Sequence, residues 1–214
     1  MMKPIFIFLF LCISCQDAAQ NQPKNQPETV QFEGKTAEKP IDGWAKRVSD
    51  AAISLTHDRV RYDPAYFSIA YPNGDVPADK GVCTDVVIRT YRKLGIDLQK
   101  EVHEDMIKNF EKYPKTWGLK KTDTNIDHRR VPNLMQFFSR HATVKPISQA
   151  ANDYKAGDIV TWNLNGGLTH IGVLVNQYAS DGSRPMVVHN IGNGQEISDC
   201  LFSFKITGHY FYQK

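Results

Sequence analysis

Gly81-Val82-Cys83-Thr84-Asp85-Val86-Val87-Ile88-Arg89 is a short polar turn that runs straight into an amphipathic helix, with a cysteine at the junction. Val86, Val87, Thr90, Tyr91 and Leu94 share one apolar face at helical spacing, and Gly95 supplies a left-handed C-terminal cap. Asp85 falls in the first turn, where a negative charge suits the helix dipole; substrate contact is its other reading. A thiol is a nucleophile only as thiolate. The positive end of a helix and a nearby imidazolium are expected to depress its pKa from about 8.5. The same text also suits a small buried residue at a helix start, because unpaired cysteine is among the most buried residue types.

Upstream, Trp44, Val48, Ala51, Ala52 and Leu55 recur at helical spacing, with Asp42 as a cap. Residues 59–80 turn to Tyr, Pro, Asn, Gly and Asp, which reads as an irregular connection into the cysteine turn. Downstream, helices are expected near residues 98–110 and 132–140, separated by the polar loop Asn125-Ile126-Asp127-His128-Arg129-Arg130. Two adjacent arginines fit bidentate capture of a carboxylate, or a solvated charge pair.

From Tyr154 the apolar period shifts to two. Asp158-Ile159-Val160-Thr161-Trp162, His170-Ile171-Gly172-Val173-Leu174-Val175 and Met186-Val187-Val188-His189-Asn190 read as antiparallel strands, and residues 202–206 and 209–212 add one or two more. Helices followed by a small antiparallel sheet give an α+β architecture in which the cysteine helix packs on one sheet face. His170, Gly172 and Leu174 share a face, as do Val187 and His189, so a hairpin brings the two imidazoles together. Gly172 leaves room there for a helix or a substrate. A nucleophile needs a base and the base an orienter, which assigns Cys83, His170 and His189 in that order. Tyr66 and Tyr71, upstream of the cysteine, are candidates for a second oxyanion donor beside the Cys83 N–H.

The flanks set the compartment. Lys3 followed by the apolar run Ile5 to Ile13 has the form of a secretion signal, too short to span a bilayer. Leu11-Cys12-Ile13-Ser14-Cys15 resembles a bacterial lipobox, which makes Cys15 the lipidated residue and residues 1–15 the leader. Residues 16–39 are rich in Gln, Asn, Pro, Lys and Glu and read as a disordered tether; residues 40–214 form the folded domain. The expected location is the periplasm or cell envelope, held through an N-terminal lipid anchor. The folded part then retains only Cys83 and Cys200, and a disulfide between them is the structural rival to catalysis. With 26 Lys and Arg against 23 Asp and Glu, scattered and leaving a net charge of +3, nucleic acid is not an expected partner. Neither a metal nor another cofactor is expected, since no ligand pair has helix or knuckle spacing, and a monomer is expected.

The order of a cysteine at a helix start, then Gly157-Asp158-Ile159-Val160, His170-Ile171-Gly172-Val173 and Val187-Val188-His189, resembles the NlpC-type cell-wall cysteine peptidases of the papain-like superfamily. By that match Cys83, His170 and His189 are the nucleophile, base and polar third member. The wider text from about Trp44 to Tyr212, including Ile206-Thr207-Gly208-His209-Tyr210, is similar to an exported bacterial family of unassigned function within that superfamily. The resemblance implies hydrolysis of an amide in peptidoglycan, in the stem peptide, with Arg129 and Arg130 gripping its carboxylates. The turn departs from the usual Asp-Cys-Ser-Gly in having Val82 before and Thr84-Asp85 after the cysteine, and the stretch 97–139 is longer than a minimal core. The alternatives are a non-catalytic envelope binding module on the same fold and a cysteine-dependent acyltransferase.

Overall fold

In the computed structural model, residues 39–41 and 43–214 are described; the expected leader with Cys15, the tether up to residue 38 and the Asp42 cap lie outside the described residues. The apolar spacing around Val48 becomes helix α1 (Gly43–Ser54), which buries Val48, Ala51 and Ala52. The connection that follows is irregular, as its Pro, Gly and Asn content requires. It also contains a two-residue parallel pair, β1 (Arg61–Tyr62) with β2 (Lys80–Gly81), that sets Tyr62 opposite Gly81.

Helix α2 (Cys83–Lys93) begins at the cysteine. Its first turn is closed by Asp85, whose Oδ2 accepts from the Val82 N–H at 2.7 Å. It ends on Gly95 at φ +81°, where the N–H groups of Gly95 and Ile96 donate back to the carbonyls of Arg92 and Tyr91. That paired arrangement satisfies carbonyls a helix end otherwise leaves open. Val86 and Val87 are fully buried and Ile88 nearly so, at roughly 1.5–3 kcal/mol each, so several kilocalories fix the rotation of the helix that carries Cys83. Helices α3 (Leu98–Lys108) and α4 (Val131–His141) follow, α4 with proline in its first turn where the missing N–H does no harm.

Short β3 (Thr143–Val144) and then β4 (Ile159–Asn163), β5 (Thr169–Tyr178), β6 (Pro185–His189), β7 (Glu196–Ser198) and β8 (Lys205–Phe211) form one antiparallel sheet in the order β3-β8-β4-β5-β6-β7. The expected α+β class is therefore found, with helices packed on a mostly antiparallel sheet. Strand alternation divides the core. Ile171, Val173, Val175 and Val188 pack with α2 and α4, whereas Val160, Trp162, Leu174 and Val187 pack with Leu201 on the other face. Gly172 does not hold space for a helix or a ligand as expected. A Cβ there would stand 2.7 Å from Val187 Cγ1 and 3.0 Å from the Val188 carbonyl, so the missing side chain lets β6 approach β5.

Candidate active site

Cys83 reaches the sheet from the α2 side. The residue is only 6% exposed, and the main-chain N–H groups of Ile171, Thr84 and Cys83 itself lie close enough to its sulfur to favour the thiolate. It is thus pinned at the peptide that leaves His170. Both Cys83 and Cys200 are free thiols, so the disulfide alternative is not realised.

His170 lies opposite Trp162 across β4 and β5, its ring 5.8 Å from the indole. Its Nε2 is 2.8 Å from Nδ1 of His189, and His189 Nε2 is 2.5 Å from Ser198 Oγ and 3.7 Å from Cys200 Sγ. The hairpin therefore brings the imidazoles together. Alternation, however, turns the His170 ring toward the Trp162 face while Cys83 approaches from the α2 face. Among the described residues neither imidazole is hydrogen-bonded to the Cys83 sulfur, and only the Ile171 peptide links them directly.

The electrostatics of the resting site run opposite to the expected depressed thiol. Burial pushes the Cys83 thiol up to about 12, with the Asp85 charge adding to it and the three N–H groups opposing it. Burial likewise pulls His170 down to about 3, with His189 contributing, and His189 down to about 4. Thiol and rings are all neutral at neutral pH. Between two neutral imidazoles one N–H donates and one nitrogen accepts. Ser198 Oγ and Cys200 Sγ both face His189 Nε2, so the roles follow from the tautomer; with the proton on that nitrogen, His189 Nε2–H donates to Ser198 Oγ. His189 Nδ1 is then the acceptor, His170 Nε2–H the donor, and His170 Nδ1 carries the lone pair of a base. Ser198 and Cys200 had no motif to announce them; strand β7 is three residues long and half-buried throughout.

The expected ligand contacts are largely corrected. Arg129 donates through Nε and Nη2 to Asp85 at 2.9 and 3.0 Å, with side chains 2% and 3% exposed. This buried fork consumes both residues: Arg129 is not a free grip, and Asp85 closes the helix turn instead of meeting a substrate. Tyr66 donates to Asp123 at 3.0 Å and accepts from Asn125, and Tyr71 packs edge-on to His103, so neither lines the cleft beside Cys83. Tyr62 does. Burial, and with it the Asp85 charge, pushes its phenol pKa up; the phenol is a donor delivered by the pairing of Tyr62 with Gly81 that two-residue strands cannot signal in sequence. The cleft has a volume of about 200 Å³ and is also lined by Trp117, Arg130 and Thr169.

A family described as Domain of unknown function (DUF1287) matches residues 49–212. The chain is 46% identical over 211 residues to the uncharacterized protein YijF of Escherichia coli (strain K12), covering 99% of this chain and 98% of that protein. The chain belongs to the DUF1287 family.

Proposed function

We propose that this protein is a cysteine hydrolase of the cell envelope that cleaves an amide bond in the peptidoglycan stem peptide, on a papain-like fold of NlpC type. The observation that carries the reading is the position of the Cys83 sulfur: at a helix start, cradled by three N–H groups, against the peptide that follows a histidine already paired to a second histidine. Hydrogen bonds between nucleophile and base commonly tighten only when substrate fills the site, so the neutral resting arrangement is compatible with turnover.

In the proposed reaction the Cys83 S–H proton passes to His170 Nδ1 as the sulfur attacks the carbonyl carbon, a transfer that requires substrate binding to bring ring and sulfur within reach, since at rest they lie toward opposite faces of β5. The carbonyl oxygen becomes an oxyanion held by the Cys83 main-chain N–H and by Tyr62 O–H. Collapse breaks the C–N bond, His170 returns its proton to the leaving amine, and a thioester remains on Cys83. Water, deprotonated by His170, then releases the acid and restores the thiol. His189 accepts from His170 Nε2–H throughout, which stabilises the imidazolium formed in each half-reaction. The proposed setting is the periplasm, with the protein tethered through a lipid on Cys15 and acting as a monomer.

The binding-module reading draws on one observation, a buried thiol without a direct imidazole partner. Digestion of purified peptidoglycan or muropeptides followed by mass spectrometry separates the two. New amide cleavage by wild-type protein and none by Cys83→Ala is the expected result; unchanged muropeptides under reducing conditions overturn it.

A further inference from the structure

Arg130 differs from its neighbour. Arg129 is neutralised inside the protein by Asp85, but Arg130 has no hydrogen-bond or ion-pair partner among the described residues, and its Nη1 is sealed from solvent without one. Its guanidinium lies 4.6 Å from the Trp117 ring, and both side chains line the cleft that Cys83 lines. An unpaired buried N–H donor carries a desolvation penalty that an incoming acceptor removes.

Trp117 is an outlier in its own right. Its backbone is left-handed at φ 63°, ψ 23°, a conformation uncommon for a bulky side chain, and the residue is 62% exposed. The strain is therefore not offset by burying the indole in the core. What the conformation does is place the ring beneath the Arg130 guanidinium, 4.6 Å from centroid to Cζ, a cation–π contact that helps hold the group while its Nη1 stays unsatisfied. None of the side chains lining the cleft is a carboxylate; the buried Asp127, whose carboxyl feels the Arg130 charge, does not line it, so on the cleft side Arg130 meets no acid.

From this we infer that Arg130, stacked on Trp117, is a carboxylate subsite, and that the substrate carries a free carboxylate next to the amide that Cys83 attacks. The inference rests on the hydrolase reading for the role of Cys83 and deepens it: amidation of that one carboxyl converts a substrate into a poor ligand. One fork binds one carboxylate bidentately, so the preference is for a single acid group at a fixed distance from the sulfur, not for general negative charge.

The test uses two lysine-type stem tetrapeptides, C-terminally amidated, that differ only in whether the glutamyl carboxyl is free or amidated. Calorimetric titration of the Cys83→Ala full-length protein is expected to show the free acid binding at least tenfold tighter than the amide. Arg130→Met is expected to erase the difference, Arg130→Lys to keep only a small part of it because a point charge lacks the fork, and Trp117→Phe to retain it. Equal affinity of the two peptides, or no binding of either, overturns the subsite, and this comparison needs no Arg130 variant to fold. Digestion of the same peptides by wild-type protein separates the two claims. Equal cleavage of both overturns the subsite and leaves the hydrolase standing. Selective binding of the acid with no cleavage of either leaves the subsite standing and counts against the hydrolase.

Discussion

Replacing Arg129 by methionine removes the cation hydrogen-bonded to Asp85 while keeping most of the side-chain volume. In the wild-type fold the two groups meet through a fork of 2.9 and 3.0 Å, at 2% and 3% exposure. The variant leaves a carboxylate buried beside Cys83, still tied to the Val82 N–H but without its forked ion pair. Breaking a buried pair from one side destabilises by about 3–5 kcal/mol. At roughly 2–4 °C per kcal/mol for a domain of this size, the melting midpoint falls by about 10 °C. Urea unfolding followed by circular dichroism measures the loss. The companion is Asp85→Asn with Arg129→Met, which removes both charges and keeps an acceptor for the Val82 N–H; it is expected to recover most of the stability, because the penalty belongs to the orphaned charge. A single-variant loss below about 1 kcal/mol, or a double variant no more stable than the single, refutes the assignment of Arg129 to internal structure and returns it to the set of ligand-binding residues.

Three further outcomes follow from the buried rings and thiols. With its thiol raised from 9.0 to about 12, Cys83 in a Cys200→Ser background alkylates with iodoacetamide about a thousandfold more slowly at pH 7 than an open cysteine and speeds up about tenfold per pH unit toward alkaline pH; rapid labelling at pH 6 contradicts a neutral resting site. His128 is buried and drawn down to about 3, chiefly by burial and then by Arg129, so above pH 6.5 neither folded nor unfolded state protonates it, and as pH falls the unfolded chain takes up a proton the folded one refuses. Wild-type stability therefore drops from pH 6.5 toward pH 3, with Asp127, raised to about 6 by burial, opposing part of the fall, and His128→Leu recovers about 3 kcal/mol of the loss at pH 4 in urea titrations; parallel pH profiles for the two proteins refute this. Nitrogen-15 spectra at neutral pH are expected to show His189 as its Nε2–H tautomer, retained in Ser198→Thr and mixed in Ser198→Ala; a Nδ1–H ring in the wild type overturns the assignment of the base.

Helix α2 was fully legible because every local signal agreed: an apolar stripe, Asp85 in the first turn and Gly95 past the last all marked the same boundaries. The sheet was legible from its short apolar runs bounded by turn residues, although β4, β5 and β6 are buried almost throughout and not on alternate residues, because both faces of the sheet are covered. What sequence did not reveal depends on pairing. Tyr62 enters the cleft because β1 lies beside β2 over two residues, too few for a period, so Tyr66 and Tyr71 drew attention on spacing alone. Ser198 and Cys200 join the histidines because β7 pairs His189 with Glu196, a contact with no motif in either strand. Facing was half legible: alternation correctly put His170 and His189 together, and the same alternation sets the His170 ring away from the face on which α2 lies.

The loop before α4 shows why two like residues side by side had to be resolved by structure. Asp127, His128 and Arg129 form a 3-10 turn and are all buried, while the next residue has extended backbone at φ −110°, ψ 118°. That change of conformation rotates consecutive side chains apart, sending one guanidinium inward to Asp85 and the other to the cleft. The inward arginine then fixes the turn on which the sulfur sits, and the outward one is aimed by the strained Trp117. A substitution at position 129 should thus register first in folding and one at position 130 first in ligand choice. The separation of those two readouts is a stronger test of the site than either variant alone, since a general loss of structure would move both together.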